Sequence, residues 1–116
     1  MPSSTARRSA AKRVDALFRA LADPTRRAIL DGLREGPRTV NALAANFDQS
    51  RPGISRHLRV LRESGLVEEA RAGRERHYRL RPARLEPVQH WLLGYRHFWQ
   101  SQLDQLKRFV ETDHDE

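Results

Sequence analysis

Asp48 to Gly65, DQSRPGISRHLRVLRESG, is the stretch that most narrows what this chain can fold into. It holds a helix start, a two-faced helix body and a helix stop. Ser50 suits the N-cap, because its hydroxyl can accept a backbone N–H left unpaired in the first turn. Pro52 lies near the first helical position, where a missing N–H is harmless. Gly65 falls just past the last turn, where a positive φ favours glycine. At about 100° per residue, Ile54, Leu58 and Leu61 cluster within about 60° of one another. Ser55, Arg56, Arg59 and Arg62 fall on the opposite side. One face seeks a core and the other is cationic and rich in hydrogen-bond donors, which predicts a DNA-recognition helix.

The rest of the composition agrees with a polyanion partner. Net charge is +7, the pI is about 11.1, and 20 of the 22 basic residues are arginine. Arginine forks match phosphate oxygens and guanine edges in a way that lysine does not. The charge is uneven: residues 51–84 hold ten arginines against four acids, whereas residues 100–116 hold two basic groups against five acids. A basic middle with an acidic end points to a polyanion at the middle; the plainer alternative is a solvated basic surface. The chain has no cysteine, which excludes disulfides, thiolate metal sites and cysteine nucleophiles. At 116 residues it suggests one domain with a small core for a monomer. No apolar run approaches the roughly 20 residues of a membrane span. The N-terminus lacks the apolar region of a secretory signal, so no membrane partner and a cytoplasmic location are expected.

Taken in order, residues 1–11 read as a disordered basic arm, and 12–85 as the DNA-binding domain. Val14, Leu17, Phe18 and Leu21 recur at helical spacing and predict a helix over about 12–22. Asp23-Pro24 caps a second helix, expected to run to about Glu35. Arg26 and Arg27 near its start oppose its dipole, so a phosphate or a carboxylate of the protein should hold them. Thr39 can cap a short third helix over about 40–46, and a tight polar turn then leads to the opening stretch. Two short helices joined this way fit a helix-turn-helix, or an ordinary pair of core helices. Residues 66–71 and 74–80 predict two strands with Ala72-Gly73 between them. A basic hairpin directly after a recognition helix is a wing. Pro87 starts a long helix over 86–111, whose near-heptad apolar stripe predicts a dimer seam; packing on the first helix is the alternative. Residues 112–116 form an acidic tail. The expected fold class is mostly α with a small β-hairpin: a winged helix-turn-helix of five helices and a two-stranded wing.

LADPTRRAIL (21–30), SRPGISRHLRVLRESGLV (50–67) and the Gly73-Arg74-Glu75-Arg76-His77-Tyr78 segment resemble the ArsR/SmtB family of winged-helix repressors over about residues 14–110. The resemblance implies a bacterial or archaeal homodimer that binds an inverted-repeat operator and represses transcription, often its own. Many members release DNA when a metal binds. Where the arsenic-sensing members carry Cys-Val-Cys, this chain reads Thr39-Val40-Asn41. The Asp, His and Glu spacing of the family's other metal site is also unmatched. His90 and His97, at i, i+7 on one expected helix, are the remaining metal candidates; histidines in such places more often line a packed seam. The resemblance is to a metal-independent branch, so no cofactor is expected, and no inducer is assigned.

The expected DNA-binding residues are Thr39, Asn41, Gln49, Ser50, Arg51, Ser55, Arg56, Arg59, Arg74 and Arg76. Arg51 and Arg56 are placed to read guanine, each bidentate pair being worth about 1–3 kcal/mol of discrimination. Ser50 and Ser55 would bond phosphates or pack closely, while Thr39, Asn41, Arg59, Arg74 and Arg76 clamp phosphates. Val88, Trp91, Leu92, Tyr95, Phe98, Trp99 and Leu106 would form the dimer seam. The two reading heads would sit about 34 Å apart. No enzyme is expected, since no phosphate-cradling glycine loop, carboxylate pair or nucleophile set is present. The other readings are a metal- or small-ligand-responsive repressor of the same family and, from a different class, a protein-interaction module using the aromatic C-terminal helix.

Overall fold

The computed structural model describes residues 4–114, with side chains from 6 to 112. Helix α1 runs Ser4–Leu21. It therefore takes in most of the segment expected as a disordered arm; residues 1–3 lie outside the described residues. Ala6, Arg7, Arg8, Ala10, Ala11 and Lys12 are strong helix formers, and extending an existing helix avoids the cost of a new nucleus. Leu17 and Ala20 of α1 are buried.

Helix α2, Pro24–Leu33, ends about two residues before the predicted stop. Its N-cap is Asp23, whose carboxylate accepts the Arg26 backbone N–H at 3.0 Å. That bond, aided by the nearby His57 and Arg26 side chains, holds the Asp23 carboxyl below its ordinary pKa. Among the described residues Arg26 and Arg27 form no ion pair with a carboxylate, and backbone carbonyls hold them instead. Arg26 donates from Nε to the Ala20 carbonyl and from Nη2 to that of Arg19, both at 2.7 Å, and Arg27 donates to the Leu21 carbonyl at 2.8 Å. These are carbonyls at the C-terminal end of α1, where a helix leaves acceptors unpaired and a cation is favoured. The two arginines that oppose the dipole of α2 thus satisfy that of α1.

Strand β1, Arg38–Thr39, precedes a five-residue α3, Val40–Ala44, which is shorter than the 40–46 expected. Thr39 caps α3 by accepting the Ala42 N–H at 3.1 Å. Helix α4, Arg51–Glu63, starts as predicted, with Ser50 accepting the Gly53 N–H at 3.2 Å. Its end is a Schellman motif. Leu66 N–H donates to the Leu61 carbonyl and Gly65 N–H to that of Arg62, each at 3.0 Å, with Gly65 at φ +85°. Ile54, Leu58, Leu61 and Leu66 are all 0% exposed, so the apolar face of α4 and the residue after its cap lie in one core with Ile29, Leu33 and Leu43.

Strands β2, Val67–Ala72, and β3, Glu75–Leu80, pair antiparallel through a two-residue loop beginning with Gly73 at φ +66°. Glycine is favoured at the first position of such a loop. The sheet has three strands rather than two, in the order β1-β3-β2, because β1 adds to the free edge of β3 with Arg38 opposite Tyr78 and Thr39 opposite His77. This pairing ties the N-cap of α3 to the base of the wing. A 3₁₀ turn, Pro82–Leu85, follows.

Residues up to Glu86 form one compact unit and those from Pro87 onward a second. The single helix expected over 86–111 is two: α5, Glu86–Leu93, and α6, Arg96–His114. Gly94 N–H bonds to the Trp91 carbonyl at 3.2 Å, three residues back, and this tight turn breaks the α ladder. Glycine has the backbone freedom and low helix propensity that allow the break. The described residues thus contain six α-helices instead of five. The segment expected as an acidic tail is helical through His114, and residues 115–116 lie outside the described residues. No described helix is long and apolar enough to cross a membrane.

Candidate nucleic-acid interface

The site grows from α4. Its apolar side is fixed in the core, so its opposite side must face outward, and β1, α3 and the β-hairpin supply the walls beside it. The result is an open groove of about 460 Å³, lined by Thr39, Val40, Asn41, Arg51, Ser55, Arg59, Arg62, Arg74, Glu75, Arg76 and Tyr78. Seven of the ten predicted DNA-binding residues converge there from three parts of the sequence. Gln49, Ser50 and Arg56 do not line it. Gln49 donates its amide to the Thr25 hydroxyl at 2.7 Å, Ser50 is occupied as the cap of α4, and Arg56 Nε turns back to the Pro52 carbonyl at 3.4 Å.

Five arginines thus share the groove with one lining carboxylate, Glu75. They are held differently. Arg59 pairs with Glu63 at 3.2 Å along its own helix. Arg62 and Arg76 both pair with Glu69. Arg51 and Arg74 are exposed and take part in no ion pair among the described residues. Arg51 occupies the first position of α4, where backbone N–H groups and the helix dipole also favour an anion. Arg74 sits in the hairpin loop at the far end of the groove. Two unneutralised guanidiniums therefore bracket it, the arrangement expected of a surface awaiting phosphate or base-edge acceptors.

Sequence reasoning did not select Val40, Arg62, Glu75 or Tyr78. Arg62 was open to discovery, since it follows Arg59 by three residues and shares its helix face. In the sequence Tyr78 is part of the wing segment and carries no DNA-binding role. It is 6% exposed, and burial, then the Glu69 charge, raises its phenol pKa above the ordinary value. His57 is half-buried with Nδ1 3.8 Å from the Asp23 carboxylate, which places it between α4 and the start of α2 and outside the groove.

The two metal candidates fall on different helices. His90 belongs to α5 and His97 to α6, so the common helix face implied by their spacing is interrupted at Gly94. Among the described residues, no three His, Cys, Asp or Glu side chains are grouped to hold a metal ion.

The same architecture recurs in known proteins. A family described as a helix-turn-helix domain matches residues 21–70, from the end of α1 into β2. The transcriptional repressor SdpR of Bacillus subtilis is 37% identical over 79 residues, which are 68% of this chain and 88% of that protein. The crystal structure of an ArsR family transcriptional regulator, RHA00566, superposes with a TM-score of 0.69 at 36% identity, over 76% of this chain and 97% of that one. The chain belongs to the ArsR/SmtB family of transcriptional regulators. A third relative is the homodimeric winged helix-turn-helix DNA-binding domain of Mycobacterium bovis Mb0332, a possible ArsR-family regulator. It has a TM-score of 0.65 and 30% identity, over 78% of this chain and 86% of that one. In this ArsR/SmtB member the winged helix-turn-helix predicted from the sequence is present, with α3 and α4 as the helix pair and β2–β3 as the wing.

Proposed function

We propose that this ArsR/SmtB-family chain is a homodimeric, cytoplasmic transcriptional repressor that binds an inverted-repeat operator in double-stranded DNA, its own promoter included. The observation that carries the reading is the arginine-lined groove, bracketed by the unpaired Arg51 and Arg74. The repressor name of SdpR and the homodimeric state of the Mb0332 domain support it. In this reading α4 enters the major groove by its N-terminal half. Arg51 reads guanine from the first helical position, with Ser55 beside it, while Arg56 stands nearby on the exposed face of α4. Thr39, Asn41, Arg59 and Arg76 hold phosphates, and Arg74 follows the backbone from the wing. Gln49 and Ser50 act indirectly, by fixing the start of α4. The chain is assigned no catalytic step and no metal.

The dimer half of the proposal rests on α5 and α6. In the single chain, Trp91, Leu92, Tyr95, Phe98, Trp99 and Leu106 are all between 40% and 60% exposed, and Val88 is half-buried. Apolar surface on this scale is what a subunit interface covers. The Trp91 and Tyr95 rings already lie 5.0 Å apart across the α5–α6 turn, as part of that surface.

Arg51→Ala and Arg74→Ala separate reading from holding. With fluorescence anisotropy on a duplex selected from a random pool and on a scrambled duplex, Arg51→Ala should weaken the selected duplex by about 30-fold or more, since each half-site loses a contact worth about 1–3 kcal/mol, with a much smaller effect on the scrambled one. Arg74→Ala should weaken both by the same factor and reduce the salt slope by about two, one phosphate contact being lost from each subunit of the dimer. Equal losses on both duplexes for Arg51→Ala would remove the guanine-reading role.

A further inference from the structure

Strand β2 carries two adjacent carboxylates, Glu68 and Glu69, which point to opposite faces of the sheet. Glu68 pairs with Arg79 and, at 3.6 Å, with Arg81, none of which lines the groove. Glu69 lies on the groove side. Its side chain is only 18% exposed. One oxygen, Oε2, accepts from Arg62 in the last turn of α4; the other, Oε1, is 3.3 Å from Arg76 Nε on β3. The buried Tyr78, directly across the strand pair, donates its hydroxyl to Oε2 at 3.5 Å. A single carboxylate thereby joins the recognition helix to both strands of the wing.

A half-desolvated carboxylate needs such partners, since burying it unpaired is costly. The consequence for its partners is more informative. Arg62 and Arg76 both line the groove; Arg62 spends one N–H on Glu69, Arg76 is held beside it as an ion pair, and the remaining donors of each guanidinium are left for another acceptor. Two long side chains that would otherwise sample many rotamers are held at fixed points on the groove wall, so less ordering remains to be done on binding.

We propose that Glu69 is a specificity-determining positioning residue of the DNA interface. It fixes the Arg62 and Arg76 guanidiniums, and through them the setting of helix α4 against the wing, so that the phosphate contacts they make hold the base-reading residues of α4 in register with the base edges. The inference rests on the DNA-binding reading above. It differs from a simple charge effect in sign. As mere negative charge, Glu69 repels every duplex equally, and its removal would tighten all binding alike. As a positioning group, its removal weakens the selected duplex relative to others, because the two arginines are no longer placed for it.

The test is Glu69→Gln in the full chain, with Glu68→Gln as a control that removes the same charge from the other face. Affinities are measured at one salt concentration for the selected duplex and for a scrambled duplex of equal length. The expected result is that Glu69→Gln lowers the ratio of selected to scrambled affinity at least about fivefold, the lower end of what one base contact of α4 is worth when it falls out of register. Glu68→Gln should leave that ratio unchanged. The Tyr78 phenol should also titrate lower in Glu69→Gln, since the neighbouring charge that helps to raise it is gone, with Tyr78→Phe identifying the signal. Equal changes on both duplexes, matching Glu68→Gln, overturn the proposal. Should Glu69→Gln fail to fold, Arg62→Gln and Arg76→Gln are compared singly and together. Losses in the ratio that do not add support a shared anchor, and additive losses contradict it. A wild-type protein that binds neither duplex fails the DNA reading itself, and the proposal falls with it; a wild type that discriminates while Glu69→Gln discriminates equally well fails the proposal alone.

Discussion

Replacing Phe98 and Leu106 together by glutamate is expected to turn the protein into a monomer and to weaken its binding to a two-half-site duplex by about 100-fold or more. Both side chains lie on α6 and are 58% and 60% exposed in the single chain. In a two-fold dimer each change appears twice, so four carboxylates would enter a seam built from apolar side chains, where burying charge is costly. The loss of DNA affinity then follows from geometry alone. Two reading heads on one scaffold make the second contact intramolecular, which is worth about 10²–10⁴ in apparent affinity. Analytical ultracentrifugation reports the first effect, and anisotropy on duplexes with one and two half-sites reports the second. Binding to a single half-site should change little, because α4 and the wing are untouched. A variant that stays dimeric would move the seam elsewhere, and a monomer that binds the full duplex undiminished would remove the dimer from the mechanism.

Leu58→Ala is expected to destabilise the protein by about 2–5 kcal/mol. Leu58 is 0% exposed and stands midway between Ile54 and Leu61, which are equally buried. These three leave α4 no other route into the core, so truncating the middle one opens a cavity beneath the groove. Against a total stability of about 5–15 kcal/mol for a small domain, that is a large fraction. Urea denaturation measures it directly, and duplex affinity should fall with the population of folded protein. A loss below about 1 kcal/mol would mean that the face of α4 carrying Leu58 is not packed as described.

The sequence was most legible where the physics is local. Ser50, Thr39, Asp23 and Gly65 each cap a helix through bonds reaching only three to five residues along the chain, and all four were identified from residue type and spacing. The face of α4 was equally readable, because burial follows the helical period. The misses were non-local or too short to carry a pattern. The acceptors for Arg26 and Arg27 lie at the end of the preceding helix, a relation set by how α1 meets α2. Strand β1 is two residues long and exists only because β3 has a free edge. Gly94 was passed over inside an apolar stripe strong enough to mask a helix break. At the site, position along α4 foretold which residues point outward, but not which of them the protein already occupies. Gln49 and Thr25 are 24 residues apart, and nothing in the strand predicted over 66–71 links Glu69 to Arg62 or Arg76, whereas in the fold it pairs with both.

The central claim is that the groove between α4 and the wing holds the phosphate backbone of duplex DNA. Salt dependence of binding tests it most directly, because each phosphate neutralised by an arginine releases condensed counterions. With about six to eight phosphates contacted per dimer, log K for a duplex should fall linearly with log salt at a slope of about −5 to −7. A slope near zero would contradict the account.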